Sequence, residues 1–271
     1  EPNRLYRNEG DWRFTEVADS AGITPGPFPF SPPASVAHWV DYDNDGDLDL
    51  FVGTTGGRAD LLYENRGGGR LERTVAGRLG LDATYVSDAV WVDLENDADL
   101  DLVIAVWGGA SEVYRNQGDG RLVPAAPEGF GSRITFASSV SASDFDADGD
   151  PDLLLTQWPL EEKGGAPNLL YRNDGPAGNW LEVALRGTRS NRSGIGARIT
   201  VSAEIRGEAV RQLRHVSSRT SWRSTGDLDR RFGLADAATV ERVEVRWPSG
   251  GADTIEGPID VNRRLVITEG G

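Results

Sequence analysis

The sequence predicts an all-β protein, with about three propeller-blade-like repeats plus a partial unit, followed by an antiparallel β-sandwich or barrel. An acidic segment recurs at spacings of 52 and 51 residues, as DYDNDGDLDL, DLENDADLDL and DFDADGDPDL, starting at Asp41, Asp93 and Asp144. A hairpin motif of the type YRN-x-G recurs between these segments, around Tyr6, Tyr63, Tyr114 and Tyr171. Two motifs that share one period indicate a repeat architecture, and a unit of about 50 residues has the size of a four-stranded propeller blade.

Each repeat unit is predicted to place strands on both sides of its acidic segment. Short apolar runs precede the segment (ASVAHWV, SDAVWV and SVSAS) and follow it (LDLFVG, LDLVIAVW and PDLLLTQW). Apolar runs bounded by turn residues are typical of buried strands. The hairpin motifs contribute Asn, Asp and Gly, which tolerate the positive φ angles of tight turns. We therefore predict a repeat domain over residues 1–178.

The pattern changes from Asn179 onward. The segments WLEVALRG, ARITVSAEI, VERVEVRWPSG and RRLVITE alternate apolar and polar residues. A period of two is typical of strands that bury one face and expose the other. No segment of the chain has a convincing helical pattern. Residues 179–271 are therefore predicted to form the second β domain.

The acidic segments carry oxygen ligands at the spacing of a calcium loop. Calcium takes about six to eight oxygens, and carboxylates at positions 1, 3, 5 and 9 of a tight loop can converge on one ion together with the position-7 carbonyl. Glycine at position 6 permits the sharp turn. Loop one (41–49) supplies Asp41, Asp43, Asp45, the Asp47 carbonyl and Asp49, with Gly46 at position 6. Loop three (144–152) supplies Asp144, Asp146, Asp148, the Asp150 carbonyl and Asp152, with Gly149 at position 6.

Loop two (93–101) departs from this pattern. Its acidic residues are Asp93, Glu95, Asp97, Asp99 and Asp101. Glu95 is one methylene longer than the aspartate at position 3 of the other loops. Position 6 is Ala98, where a positive φ would cost about 1–2 kcal/mol. We expect this degenerate site to bind an ion weakly or to have lost it.

Three other interpretations fit the acidic loops less well than a calcium site does: an EF-hand, a solvated turn and a magnesium site. An EF-hand needs a glutamate at position 12 and flanking helices, whereas position 12 here is Val52, Ile104 and Leu155 and the flanks are strands. Solvated acidic turns would account for one such loop, but not for repetition at a fixed period. Magnesium prefers to keep several waters in strict octahedral geometry. Calcium is therefore the expected cofactor, and its charge explains why so many like charges are tolerated in one segment.

These motifs resemble those of a known family. The repeats resemble FG-GAP/VCBS repeats, the blades of integrin-like β-propellers with a DxDxDGxxD calcium loop. The segments NWLEVALRGTRSNRSGIGARITV and RRFGLADAATVERVEVRWPSG are similar to the ASPIC/UnbV domain, which follows such repeats in secreted bacterial proteins and in the cartilage acidic protein-like family. The resemblance implies an extracellular or cell-surface, calcium-stabilised structural or adhesive protein of bacterial origin, and it implies no single ligand.

The number of repeats predicts that the chain associates with itself. Propellers of this family usually close with about seven blades, and three units would leave open strand edges. Open edges invite pairing with another chain, in a ring or a filament. The partner is therefore expected to be a second copy of the chain, with an extracellular glycan or a cell-surface protein as further possibilities.

Composition and charge narrow the function classes. The chain has 271 residues, a net charge of −15 and no cysteine, which excludes disulfides and thiol chemistry. Residues 1–178 carry 31 acidic and 13 basic side chains, so nucleic acid is an unfavourable partner. No apolar run approaches the roughly 18 residues of a membrane span. Methionine is absent even at position 1, which suggests that a leading segment, such as a signal peptide, has been removed.

Catalysis is not expected. The two histidines, His38 and His215, lack a visible Ser-His-Asp constellation, and the glycine-rich stretch 187–199 is followed by a strand rather than by the helix of a nucleotide-binding loop. Exposed tryptophans, with Trp12, Trp107, Trp158 and Trp222 as the candidates, could stack on sugars. A carbohydrate-binding module is therefore the main alternative to a structural protein, and a hydrolase or its accessory module is the second.

Overall fold

The predicted all-β architecture is confirmed. The structure is a computed structural model that describes residues 3–23, 34–56, 60–74, 85–125, 130, 136–158, 167–175, 178–218 and 227–271. In these ranges the elements are β1 (Tyr6–Asn8), β2 (Phe14–Glu16), α1 (Ala18–Ala21), β3 (Ala34–Val40), β4 (Asp49–Thr54), β5 (Leu61–Asn65), β6 (Leu71–Arg73), β7 (Val86–Val92), β8 (Asp101–Val106), β9 (Glu112–Asn116), β10 (Leu122–Ala125), β11 (Ala137–Ser143), β12 (Asp152–Gln157), β13 (Leu169–Tyr171), β14 (Asn179–Arg186), β15 (Arg198–Ile205), β16 (Glu208–His215), β17 (Arg230–Ala235), β18 (Thr239–Arg246), β19 (Ala252–Asp260) and β20 (Arg263–Thr268). No helix in these ranges has the length and apolar character needed to cross a bilayer.

The repeats form three antiparallel blades and a half-blade. Blade one has the strand order β3-β4-β5-β6 and blade two the order β7-β8-β9-β10, whereas blade three has three strands, β11-β12-β13. The half-blade is the hairpin β1-β2. In every blade the acidic loop joins the first two strands, since the last residue of the first strand pairs with the position-9 aspartate that begins the second. These pairs are Val40 with Asp49, Val92 with Asp101 and Ser143 with Asp152.

The second strand of each blade forms the core between blades. All six residues of β4 and of β8 are buried, which explains why their sequences are continuous apolar runs rather than alternating ones. Phe51 of β4 and Leu102 of β8 are fully buried in one cluster. The reverse face of β8 contributes Val103 to the next cluster, with Leu155 of blade three. Burial of each such side chain stabilises the fold by about 1.5–3 kcal/mol, so the blades hold each other face to face.

The C-terminal domain is a two-sheet sandwich rather than a barrel. One sheet has the order β17-β14-β20 and the other β16-β15-β18-β19. Leu181, Ile199, Phe232 and Val243 are fully buried between the two sheets. One pairing differs from the antiparallel prediction, because β14 and β20 run parallel. The alternation of apolar and polar side chains is the same for parallel and antiparallel neighbours, so it carried no information about this direction.

The glycine-rich stretch 187–199 encloses a carboxylate of the chain itself. Oε2 of Glu269 accepts the N–H groups of Thr188, Arg189 and Ser190 at 2.8, 2.7 and 2.7 Å. Burial alone would raise the pKa of Glu269, but hydrogen bonds from Ser190, Ser249, Arg189 and Thr188 outweigh it and lower the pKa. Three successive backbone donors are a general anion-binding arrangement, and here the anion is Glu269, which ties β20 to the start of the domain.

Candidate metal centres

Loops one and three each bring three carboxylates together. One oxygen from each of Asp41, Asp43 and Asp49 lies within 4.8 Å of the others, and Asp144, Asp146 and Asp152 form the same arrangement. Oxygens at this separation can all reach one ion at a calcium–oxygen distance of about 2.3–2.6 Å. The trios occupy positions 1, 3 and 9 of their loops. Among the described residues, positions 1, 3 and 9 of loop two form no such cluster.

The backbone of all three loops has the same turn conformation. Position 4 has a positive φ of 59°, 53° and 60° at Asn44, Asn96 and Ala147. Position 6 has φ of 92°, 85° and 106° at Gly46, Ala98 and Gly149. Loop two therefore keeps the fold of the other loops although alanine replaces glycine. The cost predicted for a positive φ at Ala98 applies, since an alanine there is strained by its β-carbon.

Position 5 shapes the turn. In loop one, Oδ1 of Asp45 accepts the N–H of Asp47 at 2.8 Å. Asp97 accepts from Asp99 at 3.2 Å and Asp148 from Asp150 at 3.0 Å in the same way. The position-5 carboxylate thus lies on the loop, outside the cluster of positions 1, 3 and 9. Each position-5 carboxylate has a second oxygen that these hydrogen bonds do not use.

The position-9 aspartate is fixed by two backbone donors. Oδ2 of Asp49 accepts the N–H of Tyr42 at 3.3 Å, and Oδ1 accepts the N–H of Asn65 at 2.8 Å. The equivalent donors are Leu94 and Asn116 for Asp101, and Phe145 and Asn173 for Asp152. Asn65, Asn116 and Asn173 are the asparagines of the YRN-type motif. The second repeated motif therefore orients the closing carboxylate of the first one.

Asparagine side chains join each loop to the neighbouring blade. Nδ2 of Asn44 donates to Oδ1 of Asp99 at 3.1 Å, and Nδ2 of Asn96 donates to Oδ1 of Asp150 at 3.0 Å. The position-7 carboxylates of loops two and three are therefore bonded to the preceding loop. The carbonyls of Asp47 and Asp150 stay predicted ligands at position 7. The Asp47 side chain is exposed.

Burial makes the clustered carboxylates of loop one costly to ionise. It raises the pKa of Asp41 to about 6, although the positive charge of Arg214 opposes the shift. It also raises the pKa of Asp49 to about 8, and the pKa of Asp43 lies above its usual range for the same reason. Several desolvated carboxylates close together need a compensating positive charge. The donor set, which contains only oxygen, fits a hard divalent cation.

Loop two receives positive charge from an arginine instead. The position-3 residue Glu95 forms an ion pair with Arg115 of β9. Both oxygens of Asp93 accept N–H groups of the loop itself, from Asp97 at 2.9 Å and Ala98 at 2.8 Å. Burial, followed by repulsion from Glu95, raises the pKa of Asp101 to about 9. Asp144 of loop three accepts the equivalent N–H groups of Asp148 and Gly149 at 3.2 and 3.1 Å, so the Glu95–Arg115 ion pair is the contact that sets loop two apart. Weak or lost ion binding in loop two stays a prediction.

The C-terminal domain touches the loops from one side, which the sequence did not indicate. Nη2 of Arg231 in β17 lies 2.7 Å from Oδ2 of Asp144. The backbone N–H of Leu213 in β16 donates to Oδ2 of Asp41 at 3.2 Å. Arg214 is buried and interacts electrostatically with Asp41, Asp93 and Asp99. Arginines at alternating strand positions look like ordinary surface residues in the sequence, so no local signal marks these three contacts.

A cleft of about 600 Å³ lies between the blades and the C-terminal domain and contains both histidines. Burial lowers the pKa of His38 to about 4 and also lowers the pKa of His215, so both are neutral at pH 7. Ser143, also in the cleft, donates its hydroxyl to Asp227 at 2.6 Å rather than to a histidine. This geometry differs from a Ser-His-Asp triad.

The tryptophans considered as sugar platforms have varied surroundings. Trp12 is 94% exposed and lies in the turn between β1 and β2, whereas Trp158 is 43% exposed and follows β12. Trp158 packs edge-on against Trp107, with ring centroids 5.9 Å apart and planes at 70°. Trp222 lies outside the described residues. For the three candidates that the structure describes, the carbohydrate alternative therefore depends on single exposed rings rather than on a flat pair.

The blades and their loops define a protein of the β-propeller repeat class. Residues 1–52, 41–104 and 93–155 match the family model described as FG-GAP-like repeat, and residues 187–271 match the model described as ASPIC and UnbV. The chain belongs to the FG-GAP-like repeat family and carries an ASPIC/UnbV domain after the repeats.

Its curated relatives are cartilage acidic proteins. The chain is 29% identical over 266 residues to cartilage acidic protein 1 of Homo sapiens, across 92% of this chain and 37% of the relative. It is 28% identical over 266 residues to the protein of Mus musculus and 26% identical over 270 residues to that of Xenopus tropicalis, each across 92% of this chain and 38% of the relative. The chain thus spans less than two fifths of the length of these relatives.

Two solved structures resemble the chain partially. A structure described as an Agrocybe aegerita lectin that recognises non-reducing terminal N-acetylglucosamine has a TM-score of 0.40 and 16% identity, over 96% of this chain and 74% of that one. The Photorhabdus luminescens Tc holotoxin pore has a TM-score of 0.39 and 13% identity, over 94% of this chain and 12% of that one.

Proposed function

We propose that this chain is an extracellular structural or adhesive protein whose loops one and three bind calcium. The observation that carries the proposal is the convergence of Asp41, Asp43 and Asp49, and of Asp144, Asp146 and Asp152, within 4.8 Å, with the position-1 and position-9 carboxylates buried or partly buried. The raised pKa values of Asp41 and Asp49 indicate that burial leaves their charge uncompensated. A bound cation supplies that compensation, and oxygen donors select calcium over softer metals.

Each ligand has a structural role in its loop. The position-1 carboxylate directly follows the first strand of the blade, and the position-9 carboxylate begins the second. Carboxylates at positions 3 and 5, Asp43 and Asp45 in loop one, and the carbonyl at position 7 complete the donor set. An ion bound there joins the ends of two strands that form the core between blades. Calcium therefore acts as a staple, and its binding free energy adds to the free energy of unfolding.

An extracellular setting agrees with the chemistry of such a staple. Calcium modules outside the cell have dissociation constants of about 10⁻⁴–10⁻³ M, and millimolar calcium keeps them filled. A staple of this affinity would stabilise the chain where calcium is abundant. The shared architecture with the cartilage acidic proteins supports the same role.

The experiment that tests the proposal compares two neutralised aspartates in one loop. Asp43→Asn removes a converging carboxylate, whereas Asp47→Asn removes the same charge from an exposed side chain whose carbonyl alone is assigned to the ion. Thermal unfolding is measured in millimolar calcium and in chelator. We expect Asp43→Asn to lose the loop-one share of the calcium-dependent rise in Tm, and Asp47→Asn to keep the whole rise. Equal losses for Asp43→Asn in both conditions would contradict its assignment as a ligand.

Self-association is the second part of the proposal. In the part of the chain that the structure describes, β13 forms the outer edge of blade three, and Leu170 on it is 53% exposed. An outer strand with an exposed apolar side chain is a surface for strand pairing with a second copy. Light scattering in calcium and in chelator tests this part. We expect particles heavier than one chain in calcium, and Leu170→Lys should reduce their mass; the mass of one chain at all calcium concentrations would contradict it.

A further inference from the structure

The first aspartate of each loop faces the C-terminal domain. Asp41 accepts a hydrogen bond from the backbone N–H of Leu213, and Asp144 accepts one from Nη2 of Arg231. Beside loop two, a β-carbon added to Gly233 would lie 1.9 Å from Oδ2 of Asp93, so the glycine backbone of β17 packs directly on that carboxylate. Strands β16 and β17 therefore contact the position-1 carboxylate of all three loops.

The contacts of Arg231 connect loop three to the domain at several points. Nη1 donates to the carbonyl of Gly149 at 2.5 Å, and Nη2 lies 2.7 Å from the Asp144 carboxylate. The guanidinium carbon lies 4.3 Å from the ring centroid of Trp180, which orients the planar group. The Arg231 side chain is 17% exposed and that of Asp144 is 10% exposed, so solvent screens their interaction only weakly. Two hydrogen bonds and a stacked ring fix Arg231 against loop three, and one of those bonds fixes the position of the Asp144 carboxylate.

The charges of the arginine and of a calcium ion add rather than conflict. Loop three offers four carboxylates at positions 1, 3, 5 and 9, so one calcium ion leaves a net negative charge in the loop. A guanidinium on the outer side of Asp144 offsets part of that remainder. At loop one, the buried Arg214 has the same electrostatic relation to Asp41. Each position-1 aspartate is thus placed to serve the ion and the domain at once.

We propose that calcium binding and docking of the C-terminal domain are positively coupled through the position-1 aspartates. Arg231 holds the Asp144 carboxylate in a fixed orientation, so loop three binds calcium more tightly when the domain is docked. By linkage, calcium in loop three strengthens the docking of the domain by the same factor. This inference rests on the calcium-binding function proposed above and adds a consequence for the relation between the two domains.

The experiment titrates calcium into the full chain by calorimetry, for the native protein, Arg231→Gln and a matched control, Arg264→Gln. Arg264 pairs with Glu182 and Asp229 inside the C-terminal domain, so the control removes the same charge without a contact to any loop. We expect Arg231→Gln to weaken one of the two sites about tenfold, within the usual range of coupling between sites, while Arg264→Gln binds as the native chain does. Unchanged or tighter binding in Arg231→Gln would overturn the coupling.

A reciprocal measurement covers the case in which Arg231→Gln disturbs folding. Asp146→Asn removes a loop-three ligand and leaves Arg231 and Asp144 in place. Hydrogen exchange in calcium is then followed at the amides of β17 and, for comparison, of β19. We expect exchange to accelerate in β17 and not in β19, and equal protection of β17 in both proteins would overturn the coupling. If the native chain binds no calcium, the proposed function fails and the coupling fails with it; if calcium binds but neither variant responds, the coupling alone fails.

Discussion

Asn116 of blade two donates its side-chain amide to the carbonyl of Tyr42 in loop one, at 2.7 Å and across 74 positions of the sequence. Asn173 of blade three makes the same bond to the carbonyl of Leu94 in loop two, also at 2.7 Å. The asparagine of the hairpin motif therefore binds blades two and three each to the loop of the blade before it. Because the same residue also donates its backbone N–H to the position-9 aspartate, the loops and the stacking of the blades depend on each other.

The first prediction concerns this bond between blades. Asn116→Ala leaves a buried carbonyl without its donor, and we expect it to lower the free energy of unfolding by about 1–3 kcal/mol. Asn65→Ala is the matched control, since Nδ2 of Asn65 donates within its own blade, to the carbonyl of Leu48 at 3.0 Å. Urea denaturation in calcium measures both variants. A loss for Asn65→Ala as large as that for Asn116→Ala would show that the bond across blades has no special weight.

The second prediction compares the position-6 glycines. Gly46→Ala places a β-carbon at a φ of 92°, and its near neighbour is the flexible tip of Arg211 at 3.1 Å. We expect it to cost about 1–2 kcal/mol, the usual cost of a left-handed alanine. Gly149→Ala adds a contact at 2.6 Å with Nε1 of Trp180, a ring that belongs to the C-terminal domain. Its loss of stability in chelator should therefore be the larger of the two, and equal losses would contradict the contact between loop three and Trp180.

The third prediction is a gain of binding in loop two. Glu95→Asp shortens the side chain that pairs with Arg115, and Ala98→Gly removes the strained β-carbon at φ 85°. The double variant recovers the ligand pattern of loop one, so we expect it to bind one more calcium ion per chain than the native protein. Ala98→Gly alone is the control, since it leaves the Glu95–Arg115 pair intact and should bind as the native chain does. A double variant with native stoichiometry would contradict the roles given to Glu95 and Ala98 in the degenerate loop.

The sequence predicts the local features of the fold and of the candidate site better than it predicts the contacts between blades and between domains. The loops are local, so their spacing alone placed Asp49 at the start of β4 and identified Ala98 as the strained position of loop two. The bond from Asn96 to Asp150 depends on how two blades stack, which a repeat pattern does not specify. Arg231 and the N–H of Leu213 come from a separate domain and carry no periodic signal. The hairpin asparagines recur with the same period as the loops. That shared period is the sequence signal that could have indicated their hydrogen bonds to the loops.

The fourth prediction is a pH dependence of the calcium-free protein. Burial raises the pKa of Asp41 to about 6 and of Asp49 to about 8 in the folded state, above their unfolded values. Between the unfolded pKa of an aspartate and these folded pKa values, the folded chain holds more protons than the unfolded chain. The free energy of unfolding therefore falls as the pH rises from about 4 to 8. Calcium needs the ionised carboxylates, so its affinity should rise over the same range.

Urea denaturation at several pH values, with and without calcium, measures both trends. In calcium-free buffer we expect the midpoint to fall toward pH 8, and the difference between the calcium and calcium-free midpoints to grow. Asp49→Asn removes one of the two carboxyls and should make the calcium-free trend above pH 6 shallower, while Asp101, with its pKa of about 9, keeps part of that trend. A calcium-free midpoint that rises steadily from pH 5 to 8 would contradict the burial of these carboxylates.

The most direct test of the central claim is a count of calcium ions bound per chain, by equilibrium dialysis of the native protein and of loop variants. We predict two ions in the native chain, one in Asp43→Asn, one in Asp146→Asn and none in the double variant, with two retained in Asp97→Asn. No bound calcium in the native chain, or a count that neither Asp43→Asn nor Asp146→Asn reduces, would contradict the assignment of loops one and three as calcium sites.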